Sequence, residues 1–414
     1  MAFTTLLIWL AFAILRPTPP HSVTMATGPE GSYNAELGKR YREFLARNGI
    51  DLRLISSVGA VASAARLQDP KSGISVAIIP GGITDRRDSP GLVSLGTLYY
   101  EPLWLFSRGD PLQKLESLEG LRIAVGPEGS GARKLSLEFL ARVGIIDQKS
   151  VTLLPFAAQE SAEKLHRGEI DAAVLLDAWE SPVVHDFFAI KDIRLANIRR
   201  ADAFVALYPF LNKLVLPAGL ADMIENRPPT DVQLLAPKAS LVVRSDLHPA
   251  IQYLLLEAAT QIHSEPGVFR SAGQFPAPES TGIPLSTHAR QFYKTGSPFL
   301  QRHLPFWLAV FVQQLLVLLV PVFGFLYPLM RFSPVIYGWA QRRRIYSLYS
   351  ELKTLEDGLT SDRAQQSESF IERLDGLEDR ASRLSLPKSY RPLLYELRLH
   401  ISVVRQRISK SAIP

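Results

Sequence analysis

Two stretches decide how this chain is read: TGPEGSY at Thr27–Tyr33 and VGPEGSG at Val125–Gly131, the first leading into FLARNGI and the second into FLARVGI. Each follows a β-branched apolar run (Val23 to Thr27, Arg122 to Val125) and precedes an amphipathic stretch, the pattern of a strand, a glycine turn and a helix. Two such units predict two lobes facing across a cleft. A helix start offers N–H donors without intrahelical partners and the positive end of the dipole, so each loop suits an anion. The expected binding groups are Gly31, Ser32 and Tyr33 on one side, and Gly129, Ser130 and Gly131 with Arg133 on the other. The second loop also fits the first half of a Walker A motif, but Ala132 and Arg133 stand where Lys and Ser/Thr are required, so nucleotide hydrolysis is not expected.

Outward from the loops, strand-like and helix-like segments alternate, which predicts an α/β fold with parallel sheets covered by helices. Strands are expected at Asp51–Ile55, Ser75–Ile79, Leu92–Leu98, Leu103–Ser107, Val151–Leu154 and Ile170–Leu176, with helices at about 33–48, 60–68 and 158–167. A strand near Ala236–Val243 and a helix near Pro249–His263 come after the second lobe is complete and return to the first, giving a hinge. The expected division is 21–110 with 236–265 as lobe I, 111–235 as lobe II, and a Gly/Pro/Ser-rich stalk at 266–303.

Leu304 to Met330 is a run of 27 residues without a formal charge. At roughly 1.5 Å per residue it reaches about 40 Å, enough to cross a bilayer as a helix, with Trp307 and Tyr327 at interfacial depth. Residues 1–20 open on another apolar segment without a basic leader, expected to be an uncleaved signal anchor. Arg331 and Arg342–Arg344 place the far side of the second span inside the cell. The expectation is a bacterial inner-membrane protein whose lobes lie in the periplasm and whose tail, 331–414, is cytoplasmic. In that tail, apolar residues step by four and three through Leu348, Leu352 and Leu355, then Leu374, Leu377 and Ala381, then Leu397, Ile401 and Val404. That period predicts a coiled-coil seam, in a helical hairpin or a tail-mediated homodimer.

The net charge of +6 on 414 residues is concentrated in the tail, where 15 Lys/Arg face 10 Asp/Glu; the rest is nearly balanced, which leaves no basic face for nucleic acid. There is no cysteine, and the eight histidines form no metal-ligand pattern, so neither disulfide nor metal nor other cofactor is expected. No Ser/His/Asp set or nucleophile elbow emerges, and no enzyme is expected.

TGPEGSYNAELG, LYYEPLWLFSR, LRIAVGPEGSGAR and LLDAW resemble the solute-binding receptors of tripartite ATP-independent periplasmic (TRAP) transporters, TAXI subfamily, over about Val23–Ser264. The resemblance implies a two-lobed periplasmic-binding-protein fold of type II that closes on a small carboxylate, an amino acid or dicarboxylate, and a TRAP membrane permease as partner. It also implies ligand-binding roles for Ser57 and Gly59 in SVGAVASAARL, for Glu101 after the tyrosines, and for Asp177 in LLDAW. Tyr99 and Trp179, at the ends of expected strands, are candidate aromatic walls. The chain departs from that pattern at Ala132, where the resemblance calls for Thr, and in lacking the Asn of the Gly-Ser-x-x-Asn-Leu segment. An alternative is a sensor or scaffold that passes cleft occupancy to the tail without transport.

Overall fold

The computed structural model describes residues 18–109, 118–145, 151–359, 367–384 and 387–411. The expected signal anchor lies outside the described residues but for its last few positions.

β1 (Ser22–Gly28) pairs in parallel with β2 (Asp51–Ser56) and β3 (Val76–Pro80). Helices α1 (Tyr33–Arg47) and α2 (Ala60–Gln68) form the crossovers. β3 is buried at every position, which is why it reads as an unbroken apolar run rather than an alternating one. Each fully buried aliphatic side chain there contributes about 1.5 to 3 kcal/mol. In the second half, β6 (Arg122–Ala124) pairs in parallel with β7 (Thr152–Leu154) and β8 (Ala172–Leu176), around α3 (Gly131–Arg142) and α4 (Ala158–Arg167). β5 (Leu103–Arg108) runs antiparallel to β8 and to β9 (Ile193–Leu195).

One strand serves both halves. β11 (Val232–Arg244) pairs through its first residues with β10 (Leu211–Leu216) and with β5 at Leu235, and through its last with β3 and β4 (Leu92–Tyr100). The chain crosses between the halves a second time at Glu101-Pro102, between β4 and β5, and the N–H of Glu101 donates to the carbonyl of Pro237 at 2.9 Å. The two crossings therefore lie side by side. The arrangement is the two-lobed α/β fold anticipated from the sequence, with parallel strands joined by helical crossovers. α7 (Pro249–His263) and α8 (Thr287–Thr295) cover the first half, where Tyr41, Leu95 and Leu255 lie in its core.

Helix α10 (Phe306–Leu359) begins on the first compact unit, where Phe306 and Val310 pack into that same core. The expected membrane span falls on this helix, and the side chains at 317, 318, 320–322, 325, 326 and 329 lie outside those described. Among the described residues no helix is long and apolar enough to cross a membrane, so the span is not borne out.

In the second unit, Leu348 and Leu352 of α10 pack with Leu374, Leu377 and Ala381 of α11 (Ser367–Arg383) and Leu397, Ile401 and Val404 of α12 (Arg391–Ser411). Arg405 pairs with Glu378 at 2.8 Å and Arg407 with Glu356 at 3.1 Å. The described positions of the expected seam thus pack on one another within one chain. Three short amphipathic helices can bury their stripes on one another, and a heptad pattern does not say which chain supplies the partner.

Candidate functional site

The two glycine loops are built alike. Gly28 and Gly31 have φ of +82° and +79°, and Gly126 and Gly129 have +91° and +85°. These left-handed values explain why both loops keep glycine at the same two places. Ser32 and Ser130 then cap α1 and α3, their hydroxyls accepting from the N–H of Ala35 and Arg133. Sequence repetition here reflects one solved problem used twice: a sharp exit from a strand into a capped helix start.

Between the loops lies a cleft of about 280 Å³. Of the residues expected from sequence, Ser32, Gly59, Glu101, Ser130, Gly131 and Asp177 line it. Gly31 and Gly129 sit at its edge, in contacts between the halves. A Cβ on Gly31 would lie 3.0 Å from Nε2 of Gln159, and the carbonyl of Gly129 accepts from the N–H of Ala62 at 3.0 Å. Gly59 is pressed closer still, since a Cβ there would lie 2.7 Å from Cα of Ser130. Ser57 is not in the lining, but its hydroxyl pairs at 2.6 Å with that of Ser63, which is.

The expected aromatic walls are packing instead. Tyr33 and Tyr99 are buried in the first core, their rings edge-to-face at 5.1 Å, and the hydroxyl of Tyr99 donates to Oδ1 of Asn34 at 2.6 Å. Trp179 packs tilted against Trp104 at 6.0 Å and edge-on to His185 at 4.8 Å in the second half. Arg133 does not line the cleft; its Nη1 is buried without a hydrogen-bond partner among the described residues. Helical geometry accounts for this, because a side chain two positions past Gly131 is turned about 200° around the axis from it. Asn34, Phe156 and Gln159 line the cleft without having been singled out. Asn34 carried a weak signal, being adjacent to the first loop; Phe156 is brought in by the segment between β7 and α4 and Gln159 by the first turn of α4, and nothing local in the sequence marks them.

Two carboxylates dominate the electrostatics. Asp177 is buried and well satisfied, accepting from the N–H groups of Ala178 (2.9 Å) and Tyr33 (3.4 Å) and from the Ser181 hydroxyl (2.7 Å). Burial still outweighs those bonds and raises its pKa to about 6. Glu101 is 4% exposed, and its Oε2 has no partner among the described residues. Burial, and then the charge of Asp177, hold its carboxyl well above the usual range. Among the described residues no group of acidic, His or Cys side chains is arranged to hold a metal ion.

Residues 25–295 match the model of the NMT1-like family, and the chain belongs to that family. Solved structures with a similar course are more distant. A Xanthomonas citri protein bound to ATP shares 16% identity, covering 68% of this chain and 98% of that one, with a TM-score of 0.40. An ancestral arginine-binding protein bound to arginine shares 15% over 59% and 93%, with a TM-score of 0.36. The periplasmic aliphatic sulphonate binding protein of Escherichia coli shares 12% over 58% and 68%, also at 0.36. At these identities and scores they carry no argument about what this chain binds. No curated protein matches the chain.

Proposed function

We propose that the chain is an extracytoplasmic solute-binding protein, holding one small polar molecule between its two halves and displaying it from a membrane tether. The observation that carries this reading is the cleft itself. It lies at the double crossing of the chain, is about 280 Å³ in volume, and is lined by both glycine loops together with an unpartnered buried carboxyl. A pocket of that size suits a metabolite, and the close contacts across it are those of two lobes shut together. An acceptor group on the solute, a carboxylate included, would meet the Ser130 hydroxyl and the first-turn N–H groups of Gly131 and Ala132, which no helix carbonyl can reach. Among the described residues the lining pairs no nucleophile with a base, which supports a reading of binding over turnover.

Membrane attachment is supported by the uncharged run from Leu304 to Met330 and by apolar side chains of α10 exposed to solvent, Phe311, Leu316, Phe323 and Met330 among them. The motifs quoted above favour a TAXI-type receptor that serves a TRAP permease. The helical bundle of the tail favours a second reading, in which cleft occupancy is relayed to a partner protein. A thermal-shift screen of the full chain in detergent against small metabolites tests the binding itself. A ligand at one hundred times its Kd stabilises the native state by about 2.7 kcal/mol. A screen without any shift overturns the reading.

A further inference from the structure

We propose that the solute carries a positively charged amine, held by the carboxylate of Glu101 on the floor of the cleft. This rests on the cleft being a solute site. Among the described residues the charged ones lining it are Glu30, Glu101 and Asp177, with no Lys, Arg or His. A dicarboxylate would meet like charge from the walls and no cation in return, since Arg133 stands outside the lining.

The two buried acids differ in what they have left to give. Both oxygens of Asp177 are taken up by Tyr33, Ala178 and Ser181, so it contributes potential rather than a bond. Glu101 has the open valence. A buried acceptor without a donor is costly, and an ammonium group supplies the missing donor and the missing charge together. Its place is also suggestive of coupling: Glu101 sits on one of the two crossings and is bonded through its own N–H to Pro237 on the other. A cation drawn to Glu101 is therefore held where the two halves join.

The rival arrangement is a neutral Glu101 whose O–H donates to an acceptor on the solute. Burial, and then the charge of Asp177, raise the Glu101 pKa and shift the empty site toward the protonated form, with Tyr99 the other titratable group beside it. An incoming R–NH3+ then pairs with the carboxylate, and the carboxyl proton leaves to solvent. An acceptor ligand would leave that proton where it is. The two cases differ in proton balance.

The test uses the full chain in detergent and a library of amino acids, linear amines and diamines, mono- and dicarboxylates, sulfonates and sugars, read by thermal shift. The strongest hit is then titrated by calorimetry in phosphate and in Tris at one pH. Hits should carry an amine, with net release of protons on binding. Glu101→Gln, near in shape, should weaken that ligand by at least about tenfold. Hits confined to carboxylates or sulfonates, no proton release, or equal or tighter binding to Glu101→Gln overturns the amine assignment and leaves solute binding standing. No hit in any class overturns the solute site instead. The proton count is taken on the unaltered chain and holds even if the variant fails to fold.

Discussion

The backbone N–H of Tyr33 lies 3.4 Å from each carboxylate oxygen of Asp177. Tyr33 opens α1 in the first half and Asp177 follows β8 in the second, so this is a bond across the cleft. A charged acceptor shared between a helix start and its own loop gives the shut form a specific, geometry-dependent latch.

Asp177 also sets a pH dependence whose sign is opposite to that of most carboxylates. Its pKa is raised to about 6, so the folded chain holds a proton that the unfolded chain releases near pH 4. Its contribution to stability is therefore fully present below about pH 4 and is lost as pH rises through 6, by up to about 3 kcal/mol. Asp177→Asn keeps an acceptor for Tyr33 and removes the titration. Denaturant unfolding should find the variant gaining on the native chain between pH 4 and pH 8; a variant that falls further behind at pH 8 contradicts this account.

Buried His263 works in the other direction. Burial, then Arg270 and Arg40, lower its pKa to about 3, while the unfolded chain takes up a proton near 6.5. Its stabilising share is complete above about pH 6.5 and declines by a few kcal/mol as pH falls toward 3. This shift exceeds that of Asp177, so of the two, His263 governs the acid limb. His263→Gln, which retains a partner for the Tyr41 hydroxyl at 3.2 Å, should flatten the loss between pH 7 and pH 5. An unchanged slope would mean His263 titrates normally.

Gly59 tests the closure. A Cβ there would meet backbone at Cα of Ser130, 2.7 Å away, which no side-chain rotation relieves. Gly59→Ala should weaken solute binding by about 1 to 3 kcal/mol, ten- to hundredfold, while leaving the melting temperature of the empty chain nearly constant. Calorimetry on whichever solute the screen yields decides it, and equal affinity would show that the halves need not approach so closely.

In the tail, Leu377 is 1% exposed among residues of all three helices. Leu377→Ala should cost the bundle about 2 to 5 kcal/mol, read by hydrogen exchange over 391–411. Exchange that stays as slow as in the native chain would mean the three helices do not depend on that packing.

Membrane topology is checked by single cysteines, because the chain has none of its own. Met223 is 85% exposed in the second half, and Ser402 is exposed on α12. In intact cells an impermeant thiol reagent should label Met223→Cys and spare Ser402→Cys until lysis. Labelling of both without lysis removes the tether and the internal tail together.

The duplicated loop was legible because glycine at a left-handed φ and serine at an N-cap are local necessities, written residue by residue at Gly28, Gly31 and Ser32 and again at Gly126, Gly129 and Ser130. Helix and strand periodicity followed for the same reason, and with it the α/β class. The tail heptads were equally plain as packing positions, yet their partners were not, since an apolar stripe specifies burial and not the surface that provides it.

What the tertiary structure alone decided is which residues meet. Pairing of β11 with β3 and β4 at one end and with β5 and β10 at the other brings Glu101 beside Pro237, more than a hundred positions along the chain, and so puts a carboxyl at the floor of the cleft. The turn of α3 carries Arg133 out of the cleft that its charge had suggested for it, and core packing absorbs Tyr33, Tyr99 and Trp179. Local sequence fixes backbone conformation through short-range sterics and hydrogen bonds. The sign of charge inside a cleft depends on long-range registry and on the direction each helix presents, and these exist only once the sheets are assembled.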